Sequence, residues 1–107
     1  MTKAEKLRAL LNGSETILAP CAFDALSARC IEIAGFPMVG TTGFGIHGAY
    51  LGTPDNGLLT FNEMLSACTQ MAEAVGIPVM ADAEGGYGNA VNTYRTVREF
   101  EKAGLSG

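Results

Sequence analysis

The chain has 107 residues, 48% of them apolar, with 7 Lys+Arg against 11 Asp+Glu and a formal net charge of −4. This is the composition of one small globular domain and excludes collagen-like, disordered and disulfide-framework proteins. The acidic balance argues against a surface that neutralises phosphates, so neither nucleic acid nor an anionic membrane is an expected partner. No stretch reaches the roughly 18–20 apolar residues of a membrane span, and residues 1–15 are charged and amphipathic, unlike a signal peptide; the expected compartment is the cytosol.

Thr2 and Glu5 form a capping box, and Ala4, Leu7, Leu10 and Leu11 a helical stripe that Gly13 is placed to end, which predicts a helix over 3–12. TILAP at 16–20 reads as a short buried strand. From Asp24, whose simplest role is to cap it, a helix follows with Leu26, Cys30, Ile33 and Ala34 on one face and Gly35 closing it. PMVGTT at 37–42 is a second strand, leading into a glycine-rich loop that runs through Gly57. Thr60 and Glu63 open a further helix in which Phe61, Met64, Leu65, Cys68, Met71, Ala72 and Val75 follow the i, i+3, i+4, i+7 pattern. Gly76 ends it, IPVMAD at 77–82 is a third strand, and a second glycine-rich turn leads to a helix over 90–103 with Val91, Tyr94, Val97 and Phe100 as its buried stripe.

One phrase recurs at 34–37, 75–78 and 103–106: a helix end, a glycine able to adopt left-handed φ, an apolar residue and the onset of a strand. The repeated unit is βα, and strands separated by helices imply a parallel sheet. The third copy stops where a fourth strand should begin, which suggests a fragment or truncated product.

Cys21, Cys30 and Cys68 form no C-x-x-C pair, so reduced thiols are expected rather than structural zinc, and Cys68 belongs to a packed stripe. Nine of the 14 glycines fall within Gly40–Gly57 and Gly85–Gly88, and that clustering needs a cause. Gly43-Phe44-Gly45-Ile46-His47-Gly48 matches G-x-G-x-x-G, but a dinucleotide fingerprint must open a helix directly. With no helix signal before Thr60, the nucleotide reading is set aside. What remains is a pair of loops at the carboxyl ends of parallel strands, where active sites of α/β proteins gather.

Asp82 ends the third strand, and Glu84 can point the same way if the backbone stays extended. Two such carboxylates beside bare glycine backbone suit a hard cation such as Mg2+; equally, Asp82 caps the next helix and the glycines make a tight turn. Asp55 in Thr53-Pro54-Asp55-Asn56-Gly57 has an ordinary explanation as a turn residue. Thr41, Thr42, Gly43 and Phe44 could offer a hydroxyl and backbone N–H groups to a carboxylate or phosphate, or form a generic loop. His47 could be an acid/base or a ligand, though a lone exposed loop histidine is more often neither.

Together, Phe23-Asp24-Ala25-Leu26-Ser27-Ala28-Arg29, Gly40-Thr41-Thr42-Gly43-Phe44-Gly45, Leu51-Gly52-Thr53-Pro54-Asp55 and Ala81-Asp82-Ala83-Glu84-Gly85-Gly86-Tyr87-Gly88-Asn89 resemble the amino-terminal part of the isocitrate lyase/phosphoenolpyruvate mutase superfamily, nearest its 2-methylisocitrate and dimethylmalate lyase branch. The resemblance implies an α/β fold, an incomplete (β/α)8 barrel in which residues 1–107 supply a leading helix and three βα units of a barrel of about 250 residues. It implies a Mg2+-dependent (or Mn2+-dependent) carbon–carbon lyase acting on a 2-hydroxy or 2-keto di- or tricarboxylic acid through a metal-stabilised enolate, oligomeric at full length. Carbon–phosphorus chemistry of the mutase type and an inactive truncated paralogue are the alternatives. By position, Asp82, Glu84 and Asp55 match the metal-site carboxylates, and Thr42, Gly43 and Phe44, with Asp82, the substrate-binding residues. Glu84 stands where the family usually has Asp. The family's general-acid cysteine loop has no counterpart within these residues, so none of Cys21, Cys30 and Cys68 inherits a catalytic role.

Overall fold

The computed structural model describes residues 1–107. In chain order the elements are α1 (Lys3–Leu11), β1 (Cys21–Ala22), α2 (Ala25–Ile33), β2 (Val39–Thr41), α3 (Gly43–Leu51), α4 (Phe61–Ala74), β3 (Val79–Met80) and α5 (Ala90–Lys102). The strands form one sheet in the order β1-β2-β3, both pairs parallel, with Cys21 opposite Gly40, Ala22 opposite Thr41, Val39 opposite Val79 and Gly40 opposite Met80. The expected βα repeat is therefore present, and consecutive strands are neighbours. The repeat extends past α5: Ser106 N–H donates to Val79 O and Ala81 N–H to Gly107 O, each at 2.8 Å, so 106–107 run alongside β3 as a further strand would.

Capping explains where most helices begin. Thr2, Asp24, Thr60 and Asn89 each accept from the N3 backbone and close a capping box, satisfying donors that a helix start leaves without partners. The three repeated helix ends are not equivalent. Gly35 and Gly104 take left-handed φ of 89° and 92°, but Gly76 does not; its N–H donates to Glu32 Oε1 at 2.6 Å.

One face of the sheet carries the core. Ala22, Val39 and Val79 are fully buried, and against them pack Met64, Cys68, Met71 and Ala72 of α4, flanked by Ala28 of α2 and Phe100 of α5. The α4 stripe is the one foreseen. On the opposite face Cys21 and Met80 are exposed.

Four expectations need correction. The first strand lies at 21–22, not 16–20: Pro20 has no N–H to give a ladder, and pairing starts from its carbonyl, which accepts from Gly40. The stripe Leu26, Cys30 and Ile33 of α2 faces outward, Ala28 being buried instead. On α5, Val91, Tyr94 and Val97 are exposed and only Phe100 of the foreseen stripe is buried, with Thr96 beside it. The largest difference is α3, a helix where a glycine-rich loop was expected.

Candidate functional site

The helix α3 grows directly from the end of β2. Thr42, in extended conformation, caps it by accepting from Gly45 N–H at 3.1 Å, and Gly52 ends it in the left-handed conformation at φ 65°. Three of its nine residues are glycine, and a glycine in a helix interior costs about 1 kcal/mol relative to alanine. Two of those glycines answer to close packing. A Cβ on Gly45 would lie 2.7 Å from Thr42 Cγ2 and 2.9 Å from Phe23 Cβ. A Cβ on Gly43 would lie 3.0 Å from Asp82 Oδ2, 3.0 Å from Glu84 Oε1 and 3.3 Å from Asp55 Oδ2. The absent side chain thus leaves a cradle in which three carboxylate oxygens surround one point.

Each carboxylate is placed by its own segment. Asp82 follows β3, and its backbone N–H donates to Thr41 Oγ1 at 2.8 Å, which ties the end of β3 to the end of β2. Asp82 Oδ1 accepts from Glu84 N–H at 2.9 Å, leaving Oδ2 toward Gly43. The backbone at Glu84 is not extended as the sequence argument required; φ is 50°, a left-handed turn rare for a residue with a Cβ, and Tyr87 shares the feature at 59°. That turn, rather than strand alternation, brings the Glu84 carboxylate round. Asp55 comes from the connection after α3, with Oδ1 3.4 Å from His47 Nδ1.

Concentrating three carboxylates has an electrostatic consequence. Burial, followed by the neighbouring Asp82 and Asp55, holds the Glu84 carboxyl above its ordinary value. Burial, followed by the carboxylates of Glu84 and Asp82, raises the Tyr87 phenol too; its hydroxyl is enclosed without a hydrogen-bond partner, and its ring meets Phe61 edge-on at 5.6 Å.

His47 is neither exposed nor in a loop. It is fully buried on α3, with Nδ1 2.7 Å from Gly43 O and Nε2 accepting from Leu59 N–H at 3.3 Å. Since Nε2 accepts, the ring proton is assigned to Nδ1. One donor atom each from His47, Asp55 and Glu84 lies within 4.8 Å of the others, yet both imidazole nitrogens are already engaged. The oxygens of Asp55, Asp82 and Glu84 are the groups free to meet a cation.

The first turn of α3 complements them. The N–H groups of Gly43 and Phe44 precede any intrahelical acceptor, and the Thr42 hydroxyl, which accepts from Gly45, retains its proton for donation. Thr42 is half-buried, Gly43 buried and Phe44 exposed. The arrangement also corrects the argument about G-x-G-x-x-G. A helix does open directly, so that ground for setting a nucleotide aside fails. A better one replaces it: the three glycines lie within the helix instead of in a turn before it, where the fingerprint needs them.

Of the remaining sequence candidates, Asp24 caps α2 by accepting from Ser27 N–H at 2.7 Å. Cys68 is fully buried, and Cys21 and Cys30 are exposed free thiols. No helix is long and apolar enough to cross a membrane.

Residues 7–107 match the family described as phosphoenolpyruvate phosphomutase. The chain is 49% identical over 106 residues to the 2,3-dimethylmalate lyase of Eubacterium barkeri, an alignment covering 99% of this chain and 37% of that enzyme. Among solved structures it is similar to a phosphoenolpyruvate phosphomutase from Streptomyces platensis subsp. rosaceus, with a TM-score of 0.90 and 43% identity over 96% of this chain and 36% of that one. It is also similar to a phosphonopyruvate hydrolase in complex with oxalate and Mg2+, with a TM-score of 0.93 and 36% identity over 98% of this chain and 37% of that one. The chain thus spans a little over a third of the length of these relatives.

Proposed function

The chain belongs to the phosphoenolpyruvate phosphomutase family, and from that membership we propose that it is the amino-terminal portion of a Mg2+-dependent carbon–carbon lyase acting on a 2-hydroxy or 2-keto di- or tricarboxylic acid. In this reading residues 1–107 form a leading helix and three βα units of a single (β/α)8 barrel. The sheet supports it: a parallel sheet is ordinarily covered on both faces, whereas here Cys21 and Met80 lie on an uncovered one, as the interior of a barrel would before closure.

The observation that carries the functional reading is the cradle at Gly43. Oxygen atoms of Asp55, Asp82 and Glu84 within 3.3 Å of one point are a donor set for a hard cation, Mg2+ or Mn2+. A cation held by these oxygens would supply Lewis-acid stabilisation of negative charge developing on the substrate's oxygen atoms. The chain's own groups do the orienting. The free N–H groups of Gly43 and Phe44 and the Thr42 hydroxyl point a helix start at a substrate carboxylate, so that an acid would lie between the positive end of α3 and the acidic triad. The helix start follows β2, Asp82 and Glu84 follow β3, and Thr41 links the two strand ends, while Asp55 joins them from the connection after α3. The 49% identity to a dimethylmalate lyase favours carbon–carbon over carbon–phosphorus cleavage.

The test is Mn2+ binding, followed by turnover of dimethylmalate, 2-methylisocitrate, oxaloacetate and phosphonopyruvate, in the full-length protein. Asp82→Ala is expected to abolish metal-dependent turnover. Gly43→Ala places a methyl group among the three oxygens and is expected to weaken Mn2+ binding at least about tenfold. Unchanged Mn2+ affinity in both variants would sink the site; preferential cleavage of phosphonopyruvate would replace the lyase by the phosphonate reading.

A further inference from the structure

We propose that His47 is a positioning residue for the acidic triad: its buried ring clamps the connection after α3 to the helix start and thereby sets where Asp55 stands. The inference rests on the metal-site reading above and assigns a role to a residue that reading does not use.

Asp55 has little else to hold it. It lies in the stretch between α3 and α4, where Gly52 and Gly57 both take left-handed φ and every residue from 54 to 58 is exposed. Leu59 is the one buried anchor of that stretch, at 3% exposure. The His47 ring joins the anchor, the acid and the helix. Leu59 N–H donates to Nε2 at 3.3 Å, Nδ1–H donates to Gly43 O at 2.7 Å, and Asp55 Oδ1 stands 3.4 Å from the same Nδ1. The ring is fully buried, so turning it would strand polar groups away from water, at a cost of about 1–3 kcal/mol for each one left unpaired.

The consequence falls on the two oxygens of Asp55. Oδ1 faces the imidazole and Oδ2 faces the cradle, 3.3 Å from the point that a Gly43 Cβ would occupy. A carboxylate on an exposed connection could otherwise rotate into solvent. Here one oxygen is turned to a histidine and the other presented, the kind of outer support that commonly governs metal affinity by about 10–100-fold. Serving as a ligand itself would require Nε2 to give up the Leu59 N–H.

The experiment is Mn2+ titration of the full-length protein, comparing the unsubstituted chain with Asp82→Ala, Asp55→Asn, His47→Gln, His47→Asn and the double variant His47→Gln/Asp55→Asn. Gln keeps an acceptor near the position of Nε2 and Asn a donor near that of Nδ1, so the two divide the ring's functions. His47→Gln is expected to weaken Mn2+ roughly 10–100-fold, His47→Asn less, and His47→Gln to add under about threefold once Asp55 is Asn, as coupled groups do. Equal affinity in the His47 variants, or the same loss with and without Asp55, overturns the positioning role while leaving the metal site standing. No Mn2+ binding by the unsubstituted protein, or none lost in Asp82→Ala, overturns the metal reading and the positioning role with it. Imidazole 15N resonances of the unsubstituted protein decide the matter if the variants do not fold. An Nδ1–H tautomer unchanged on adding Mg2+ supports the clamp, and a large Mg2+-induced shift at Nε2 makes His47 a ligand and refutes it.

Discussion

Cys68 shows how one residue type divides by environment. Its thiol is fully buried under the sheet, and burial pushes it up to about 11, the nearby Asp82 adding to the rise and a hydrogen bond with Thr41 opposing it. Folding therefore favours the protonated thiol. The stability this contributes is present below pH 9, the ordinary thiol value, and is lost as the pH rises through about 11. Urea midpoints should accordingly fall between pH 9 and 11, and less steeply in Cys68→Ala. In the same protein at pH 8 a thiol reagent should modify the exposed Cys21 and Cys30 at once and Cys68 only on unfolding. Rapid reaction of all three thiols would contradict the burial. The helical spacing of Cys68 already placed it in a stripe, so this role was legible; the burial of His47 was not, because its partners Gly43, Asp55 and Leu59 are assembled by a helix that local sequence disfavours.

At the scale of elements, α3 is the instructive case. Glycine at 43, 45 and 48 speaks against a helix, and its cap, Thr42, lacks the Glu or Gln at N3 that marked the starts at Thr2 and Thr60. Tertiary packing wins: Ile46 and His47 are buried and Gly45 admits Phe23. The glycines are not equivalent, which makes the point testable. Gly48 is exposed, not left-handed, and a Cβ there would meet nothing within 4 Å, so Gly48→Ala should raise stability by about 0.5–1 kcal/mol in urea unfolding. Gly45→Ala, with 2.7 and 2.9 Å contacts waiting, should lower it by roughly 1–3 kcal/mol. Equal effects at the two positions would mean that propensity alone governs α3. On α2 and α5 the apolar spacing was read correctly as helical but assigned to the wrong neighbour, since periodicity reports a face and not what covers it.

For the whole molecule those faces add up. Leu26 and Ile33 on α2, Val91, Tyr94 and Val97 on α5, and Met80 on the open face of the sheet are all exposed. Apolar area of this extent beside open strand edges favours association. The 107-residue chain alone is therefore expected to sediment as associated species at micromolar concentration and to bind a hydrophobic dye. A monodisperse monomer with a sharp cooperative melt would show that these surfaces are tolerated in water.

By itself the sequence determined the βα repeat, the helix caps at Thr2, Asp24 and Thr60, the α4 core stripe and the family, because each rests on short-range spacing or on contiguous motifs. The resemblance had grouped Asp55, Asp82 and Glu84, but only the tertiary structure decided that the glycine-rich segment is a helix and that these acids meet over the space a Gly43 side chain would fill. It also decided that His47 is enclosed. The physical reason is the same in each instance: these features depend on which surfaces meet, and 27 residues separate Asp55 from Asp82 in a chain whose local preferences carry no record of that meeting.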